Sequence, residues 1–489
     1  MRLTELLGEP LAARNGAPPI DPEIKGLSAD SRTVRPGFLF AALAGMRLDG
    51  RQFAAEAVAR GAVAVLTDRA GAAALPQAAA RHAVVVADDN PRRRFALLAA
   101  RFHPRRPKTI AAVTGTNGKT SVVHFTREIW TRLGHPAASL GTLGLVTPAG
   151  RRPGSLTTPD PAALHETLAA LAADGIERVA LEASSHGLEQ FRLDGLEFAA
   201  AAFTNLTRDH LDYHRGMESY RAAKERLFAV LLAAEGAAVI NADSPEFPRL
   251  AALCRGRGQR LLAYGTARGA QLRLLAREAL PQGQRLALEL FGEERDVLLP
   301  LVGDFQAMNA LAALGLAVAT DARAEDACAA LETLTGVPGR VELVARTAGG
   351  GGVVVDYAHT PDALATVLAA LRPHAKGRLV VLFGCGGDRD PGKRPMMGEI
   401  AGRLADAVYV TDDNPRSEPP QLIRRAILEA VPQAVEIGDR RQAIAAAIGA
   451  LAPGDLLVVA GKGHETGQIV GDKTYPFDDA QIVREVLAR

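Results

Sequence analysis

The chain has 489 residues, 48% of them apolar, and its 57 basic and 55 acidic residues leave a formal net charge of +2. That length is beyond a single hydrophobic core and sets an expectation of about two to four domains. The balanced charge gives no electrostatic reason for a nucleic-acid partner, and no apolar run reaches the roughly 18 residues that membrane insertion needs.

In chain order, the opening Met1-Arg-Leu-Thr-Glu-Leu-Leu-Gly8 has no signal-peptide apolar core. Cys254, Cys328 and Cys385 lie far apart without metal-type spacing, and they read as reduced thiols of a cytoplasmic protein. Residues 1–104 alternate short β-like runs (37–43, 62–66, 83–87) with an Ala-rich helical stretch near 52–60. The basic, Pro-containing stretch 101–108 reads as a linker. Residues 105–337 repeat strand and helix, with buried parallel strands expected at 178–183, 199–204 and 237–241 and a more polar, β-suggestive stretch at 259–300 that reads as a meander or an edge hairpin. Gly336-Val-Pro-Gly-Arg340 forms a second break. From 338 to 489, apolar runs at 352–356, 378–383, 407–411 and 456–460 alternate with helical segments. The fold class that follows is α/β in three domains. The central one has a P-loop-like, mostly parallel sheet, and the C-terminal one is doubly wound and Rossmann-like.

The central region opens on the most telling motif. The β-rich run from Thr109 leads into Gly115, Thr116, Asn117 and Gly118, then Lys119, Thr120 and Ser121 at the start of an expected helix. Backbone N–H groups at such a helix start attract anions, the Lys adds a point charge, and a Thr hydroxyl can hold Mg²⁺. The spacing departs from GxxxxGK[ST], because Val113 stands at the first Gly position and Gly115 supplies the turn instead. A nucleoside triphosphate is the expected ligand.

Glu182 closes the strand that precedes Ser184 and His186, a position from which a carboxylate can serve Mg²⁺. A capping carboxylate is the plainer alternative. The segment 205–214 gathers Asp209, His210, Asp212 and His214 after another strand. No Glu or Cys stands in zinc-type register there, so a Mg²⁺- or water-linked role suits His210, with a solvated polar turn as the alternative. Only eight of the 57 basic residues are Lys, and four of these, Lys119, Lys224, Lys393 and Lys462, fall in motifs. Lys224 lies in a helical stretch where spacing alone suggests a surface Lys paired with Glu225 or a neighbour. Beside metal and phosphate, a neutral lysine amine can instead add CO₂.

Taken together and in order, TGTNGKTS, LEASSH, NLTRDHLDYH with its downstream Lys, GRVE, DYAHTPD, GCGGDRD with GKRP, DNPR and GKGHE resemble the Mur ligases of bacterial peptidoglycan synthesis over nearly the whole chain. The resemblance implies an ATP-dependent ligase that activates the D-Glu γ-carboxylate of UDP-MurNAc-L-Ala-D-Glu as an acyl phosphate and joins it to meso-2,6-diaminopimelate. L-lysine as the amine is the nearest alternative, and a nucleotide-binding ATPase without ligase activity is the alternative from another class.

The same resemblance implies that residues 1–104 hold the UDP part of the substrate, with Ser31 among its contacts. In the loop 45–48, Met46, Arg47 and Leu48 depart from the family's pattern. Thr157, Thr158, Ser184, Gln190 and Arg192 would meet the muramoyl-dipeptide. Asn309 and Arg340 would contact the nucleotide, with Asp356 and His359 in the adjoining loop. Lys224 would carry a CO₂-derived carbamate supporting Mg²⁺ beside Thr120, Glu182 and His210. Arg389, Asp413, Asn414, Pro415, Arg416, Gly461 and Glu465 would receive the amino acid. Arg416 offers a fork suited to the extra carboxylate that separates diaminopimelate from lysine. Small molecules are the only partners implied, and a monomer is expected.

Overall fold

The computed structural model describes every residue except 12–19, 46–47, 77–80, 208, 210–212 and 489. The chain divides into two compact units. One comprises Met1–Lys119, Gly134–Ile240 and Ser244–Leu261; the other comprises Thr120–Leu133, Asn241–Asp243 and Leu262–Arg489. Among the described residues, no helix is long and apolar enough to cross a membrane.

In the first unit, Gly26–Ser28, Phe38–Ala41, Ala62–Thr67 and Val84–Ala87 form a four-stranded parallel sheet. Leu39 and Leu66 from this sheet bury against Phe95 and Leu98 of the helix Pro91–Phe102. That helix starts where the sequence provides a cap: Asn90 accepts from the Arg93 N–H, and Pro91 supplies a preset φ at the first helical position.

A second sheet in this unit runs in the order Leu232–Asn241, Phe198–Phe203, Thr109–Thr114, Arg178–Glu182, Ala137–Gly141, Gly144–Thr147, Gly150–Arg152. The first five strands are parallel, as their unbroken apolar runs require, and the last two fold back antiparallel. Register pairs Val113 with Glu182 and Thr114 with Phe203. The carboxyl ends of three neighbouring strands therefore meet where the phosphate loop begins.

In the second unit, the helical segment 120–132 is fixed to the buried helix Phe305–Ala319 by Trp130 Nε1, which donates to Thr320 Oγ1 at 3.0 Å. Of the meander or edge hairpin expected at 259–300, the structure has the meander: Leu272–Leu280, Gly283–Leu290 and Glu293–Leu299, paired antiparallel. A six-stranded sheet follows in the order Glu342–Arg346, Gly352–Asp356, Leu456–Ala460, Leu379–Phe383, Ala407–Val410, Val435–Glu436, parallel except at its first strand. Successive side chains alternate between two cores: Val354, Val381 and Val458 bury on one face, Val353, Val380 and Val459 on the other. This is the doubly wound arrangement, and the loops holding Asp356–His359, Arg389, Asp413–Arg416 and Gly461–Glu465 all leave the carboxyl edge of the sheet. The hairpin Gly467–Val470/Lys473–Pro476 was not anticipated.

Candidate functional site

The phosphate loop is held open by its neighbours. Gly115 has φ +146°, and a Cβ there would sit 1.9 Å from Thr204 Oγ1; Gly118 has φ +86°. Only glycine accepts both demands. The Thr116 N–H donates to the Asn205 carbonyl (2.8 Å) and the Asn117 N–H to Asn205 Oδ1 (2.9 Å), while Thr204 Oγ1 donates to the Asn117 carbonyl (2.6 Å). Thr116 Oγ1 also lies 3.1 Å from the Tyr220 hydroxyl. Lys119 folds back over the loop, its Nζ donating to the carbonyls of Gly115 (2.9 Å) and Thr116 (2.7 Å). Thr120 and Ser121 lie in the first turn of the helix that begins at Lys119.

Lys224 is not the surface residue that its helical spacing suggests. It is 2% exposed, its Nζ donates to the Gly115 carbonyl at 2.8 Å, and it stands 4.4 Å from the Tyr220 ring centroid. Burial pushes its pKa down to about 6, helped by the nearby Lys119 charge and opposed by Asp209. A buried, largely neutral amine thus touches the phosphate loop.

Glu182 is 2% exposed and accepts from the Thr142 N–H (2.7 Å) and Thr142 Oγ1 (3.2 Å). Gly141 makes room for it, because a Cβ there would fall 2.1 Å from Glu182 Oε1. Thr158 Oγ1 donates to the Glu182 carbonyl (2.8 Å) and pairs with Ser184 Oγ (2.9 Å). Arg192 Nη1 donates to the Thr158 carbonyl (2.7 Å), Arg192 Nη2 to Gln190 Oε1 (2.7 Å), and Gln190 Nε2 to the Tyr213 hydroxyl (3.0 Å). Thr157 joins through Thr142 at 3.2 Å. Thr157, Thr158, Ser184, Gln190 and Arg192 are therefore one bonded network around the strand end that carries Glu182. Ser31 is outside it, buried in the first sheet's region with its Oγ 3.3 Å from Glu56. His210, Met46 and Arg47 lie outside the described residues.

In the second unit, the Arg340 guanidinium lies 4.8 Å from the Tyr357 ring, which neighbours the His359 and His464 rings at 4.5 and 5.2 Å. Arg340 Nε is buried without a hydrogen-bond partner among the described residues. Asp356 accepts from the N–H groups of Val341 (2.8 Å) and Ala358 (2.7 Å); burial raises its pKa, against the pull of Arg340. Asn309 is buried on its helix and donates to Gln306 (2.9 Å).

The DNPR segment carries two non-glycine residues at positive φ, Asn414 (+45°) and Arg416 (+52°). Arg416 Nη1 donates to the Gly387 carbonyl (2.8 Å), and its backbone pairs with Val470 of the unanticipated hairpin. Asn414 Nδ2 donates to Glu465 Oε2 (2.9 Å). Gly461, at φ +112°, leaves space for Asp413, whose Oδ2 would be 2.5 Å from an added Cβ. Pro415 is buried and Arg389 exposed on the facing loop. Lys462 sits inside GKGHE without a role evident from the sequence; the structure buries it completely among Asp413, Asn414, Glu465 and Gln468. The rarity of Lys in an Arg-rich chain was the signal available. Thr142, Thr204 and Tyr220 carried none.

A glycine loop on a central parallel strand, closed by a lysine at a helix start, defines a nucleotide-binding α/β protein of the P-loop class. Comparison with known proteins narrows this. Residues 23–103 match the description "Mur ligase family, catalytic domain", 113–317 "Mur ligase middle domain" and 339–463 "Mur ligase, glutamate ligase domain". The UDP-N-acetylmuramoyl-L-alanyl-D-glutamate–2,6-diaminopimelate ligase of Caulobacter vibrioides is 52% identical, covering 99% of this chain and 98% of its own. A solved structure of a ligase of that name is similar over 100% of this chain and 99% of its own, at 34% identity and a TM-score of 0.75. MurF ligase from Thermotoga maritima, solved in complex with ADP, shares the fold at 19% identity and a TM-score of 0.59, over 94% of this chain and 96% of its own. The chain belongs to the Mur ligase family.

Proposed function

We propose that this chain is the ATP-dependent ligase that adds meso-2,6-diaminopimelate to the D-Glu γ-carboxylate of UDP-MurNAc-L-Ala-D-Glu in peptidoglycan precursor synthesis. The observation that carries this reading is the end-to-end likeness, at 52% identity, to a ligase named for that reaction. Residues 1–104 are assigned to the UDP moiety, 105–337 to ATP and 338–489 to the amino acid, in a cytoplasmic monomer.

A carboxylate is a poor electrophile. Its attack on the ATP γ-phosphate releases ADP and gives an acyl phosphate, which the incoming amine attacks to form the amide and expel phosphate. Two anions must approach, so positioning and charge neutralisation supply most of the catalysis. The Thr116 and Asn117 N–H groups hold the loop to Asn205, the N–H groups at the helix start that follows serve the phosphates, and Lys119 exchanges its contacts with loop carbonyls for phosphate oxygens. Asn309 and Arg340 serve the rest of the nucleotide, and the unsatisfied Arg340 Nε fits that task. Thr157, Thr158, Ser184, Gln190 and Arg192 orient the muramoyl-dipeptide, with Ser31 at the UDP end.

The buried carboxylate of Glu182 beside the loop suits a hard cation. Thr120, Glu182, His210 and a carbamate on Lys224 would hold Mg²⁺, which when bound neutralises phosphate charge. The neutral amine of Lys224 is the form able to add CO₂. On the amine side, Arg416 and Arg389 take the carboxylates, while Asp413, Asn414, Gly461 and Glu465 take the ammonium, with Pro415 shaping the loop.

Phosphate release with ATP, Mg²⁺ and UDP-MurNAc-L-Ala-D-Glu, with diaminopimelate or lysine, tests the reading. Release with diaminopimelate alone is expected. Release with lysine instead would overturn the specificity, and release without any amine would leave an ATPase.

A further inference from the structure

Lys462 leaves the carboxyl end of the strand Leu456–Ala460, in the interior of the six-stranded sheet, and none of its side chain is exposed. An ammonium so placed must be compensated, because an isolated buried charge is costly. Its Nζ donates to Asn414 Oδ1 (3.0 Å) and Gln468 Oε1 (2.9 Å), and it lies 3.5 Å from Asp413 and 3.7 Å from Glu465. Every one of these partners belongs to a segment assigned to the amino-acid substrate or to the hairpin joined to it.

The geometry decides the orientation of Asn414. Its Oδ1 accepts from both Lys462 and the Ile469 N–H (2.9 Å), so its Nδ2 must point the other way, to Glu465. Gln468 is fixed in the same manner: its Oε1 accepts from Lys462 and from the Asn414 N–H at 3.3 Å. The hairpin then grips the Arg416 backbone, with the Arg416 N–H donating to the Ile469 carbonyl (3.1 Å) and the Gly471 N–H to the Arg416 carbonyl (2.8 Å). Asn414 and Arg416 both sit at positive φ, a strained conformation that persists only where the surroundings over-determine it. Lys462 is the cation at the centre of those surroundings.

We propose that Lys462 is a positioning residue for the amino-acid substrate. It orients the Asn414 amide and Glu465 and, through Gln468 and the hairpin Gly467–Pro476, holds the loop that presents Arg416. The inference rests on the ligase reading above.

The test separates the two half-reactions. Hydroxylamine traps an acyl phosphate as a hydroxamate without any amino acid, so hydroxamate yield reports activation alone. Lys462→Met preserves volume and removes the charge and both hydrogen bonds. Its KM for diaminopimelate should rise about tenfold or more, while KM for ATP and for the UDP-dipeptide and the hydroxamate rate stay within about twofold of wild type. A KM for diaminopimelate within about twofold of wild type would overturn the proposal. If Lys462→Met loses hydroxamate formation as well, Gln468→Leu decides. It keeps the lysine and removes one acceptor, and a rise confined to the diaminopimelate KM supports the proposal, whereas no change overturns it. A wild-type chain that yields neither hydroxamate nor phosphate would sink the ligase reading itself, and this inference with it.

Discussion

A lysine whose side chain is buried against a carbonyl of a phosphate loop has given up solvation for position, and Lys224 is such a residue. Helical spacing alone put it on the surface beside Glu225, because spacing carries no information about which face of Met217–Arg226 meets the loop. If its amine works as a carbamate, Lys224→Ala should lose activity by on the order of 10–100-fold, the usual cost of disturbing a metal's supporting shell. Acetate or formate added to the variant should restore part of it in a phosphate-release assay, and a fully active Lys224→Ala would refute the role. Arg416 makes a separate prediction. Two main-chain carbonyls take its Nη1, so the fork is already oriented before substrate arrives. Arg416→Ala should therefore erode the preference for diaminopimelate over lysine by about two orders of magnitude, since a site built for a charged group strongly rejects the analogue lacking it. Parallel kcat/KM measurements with the two amines would check this, and an unchanged ratio would remove Arg416 from the specificity argument.

At the scale of elements, the helix Pro161–Ala173 buries His165, 3% exposed, with Nε2 3.4 Å from the Asp194 carbonyl. Burial lowers its pKa to about 4, only partly opposed by that carbonyl. The folded value lies below the unfolded value of about 6.5, so the unfolded chain binds the extra proton between the two. The contribution is therefore complete above pH 6.5 and lost as pH falls toward 4, amounting to roughly 3 kcal/mol. Urea unfolding should show wild type losing more stability between pH 7 and pH 4.5 than His165→Leu does, and equal losses would contradict the assignment. The strands were legible for a related reason, since a parallel strand buried on both faces must be apolar throughout, as at 352–356 and 456–460. The hairpins Gly144–Arg152 and Gly467–Pro476 escaped notice because they are short, mostly solvent-facing and rich in Gly and polar residues, so neither period marks them.

Across the whole molecule, what the sequence displayed was the order of its motifs, and what it concealed was which motif side chains are buried and bonded to one another. Lys119 and Lys462 look alike in the sequence, each following a Gly in a loop after an apolar strand, yet one donates to main-chain carbonyls of its own loop and the other is sealed among amides and carboxylates. This difference has a global readout. A ligand that binds only the folded state stabilises it by about 2.7 kcal/mol at a hundredfold excess over its Kd, enough to raise Tm by a few degrees. A non-hydrolysable ATP analogue with Mg²⁺ should therefore raise the Tm of wild type but not that of Lys119→Ala, which should also lose ATP-dependent turnover. UDP-MurNAc-L-Ala-D-Glu should stabilise both proteins equally, because its contacts are assigned to Ser31 and the Thr157–Arg192 network and not to the loop. Loss of both shifts in Lys119→Ala would mean that the lysine holds the fold of the loop through its bonds to Gly115 and Thr116, while retention of the nucleotide shift would remove Lys119 from phosphate binding altogether.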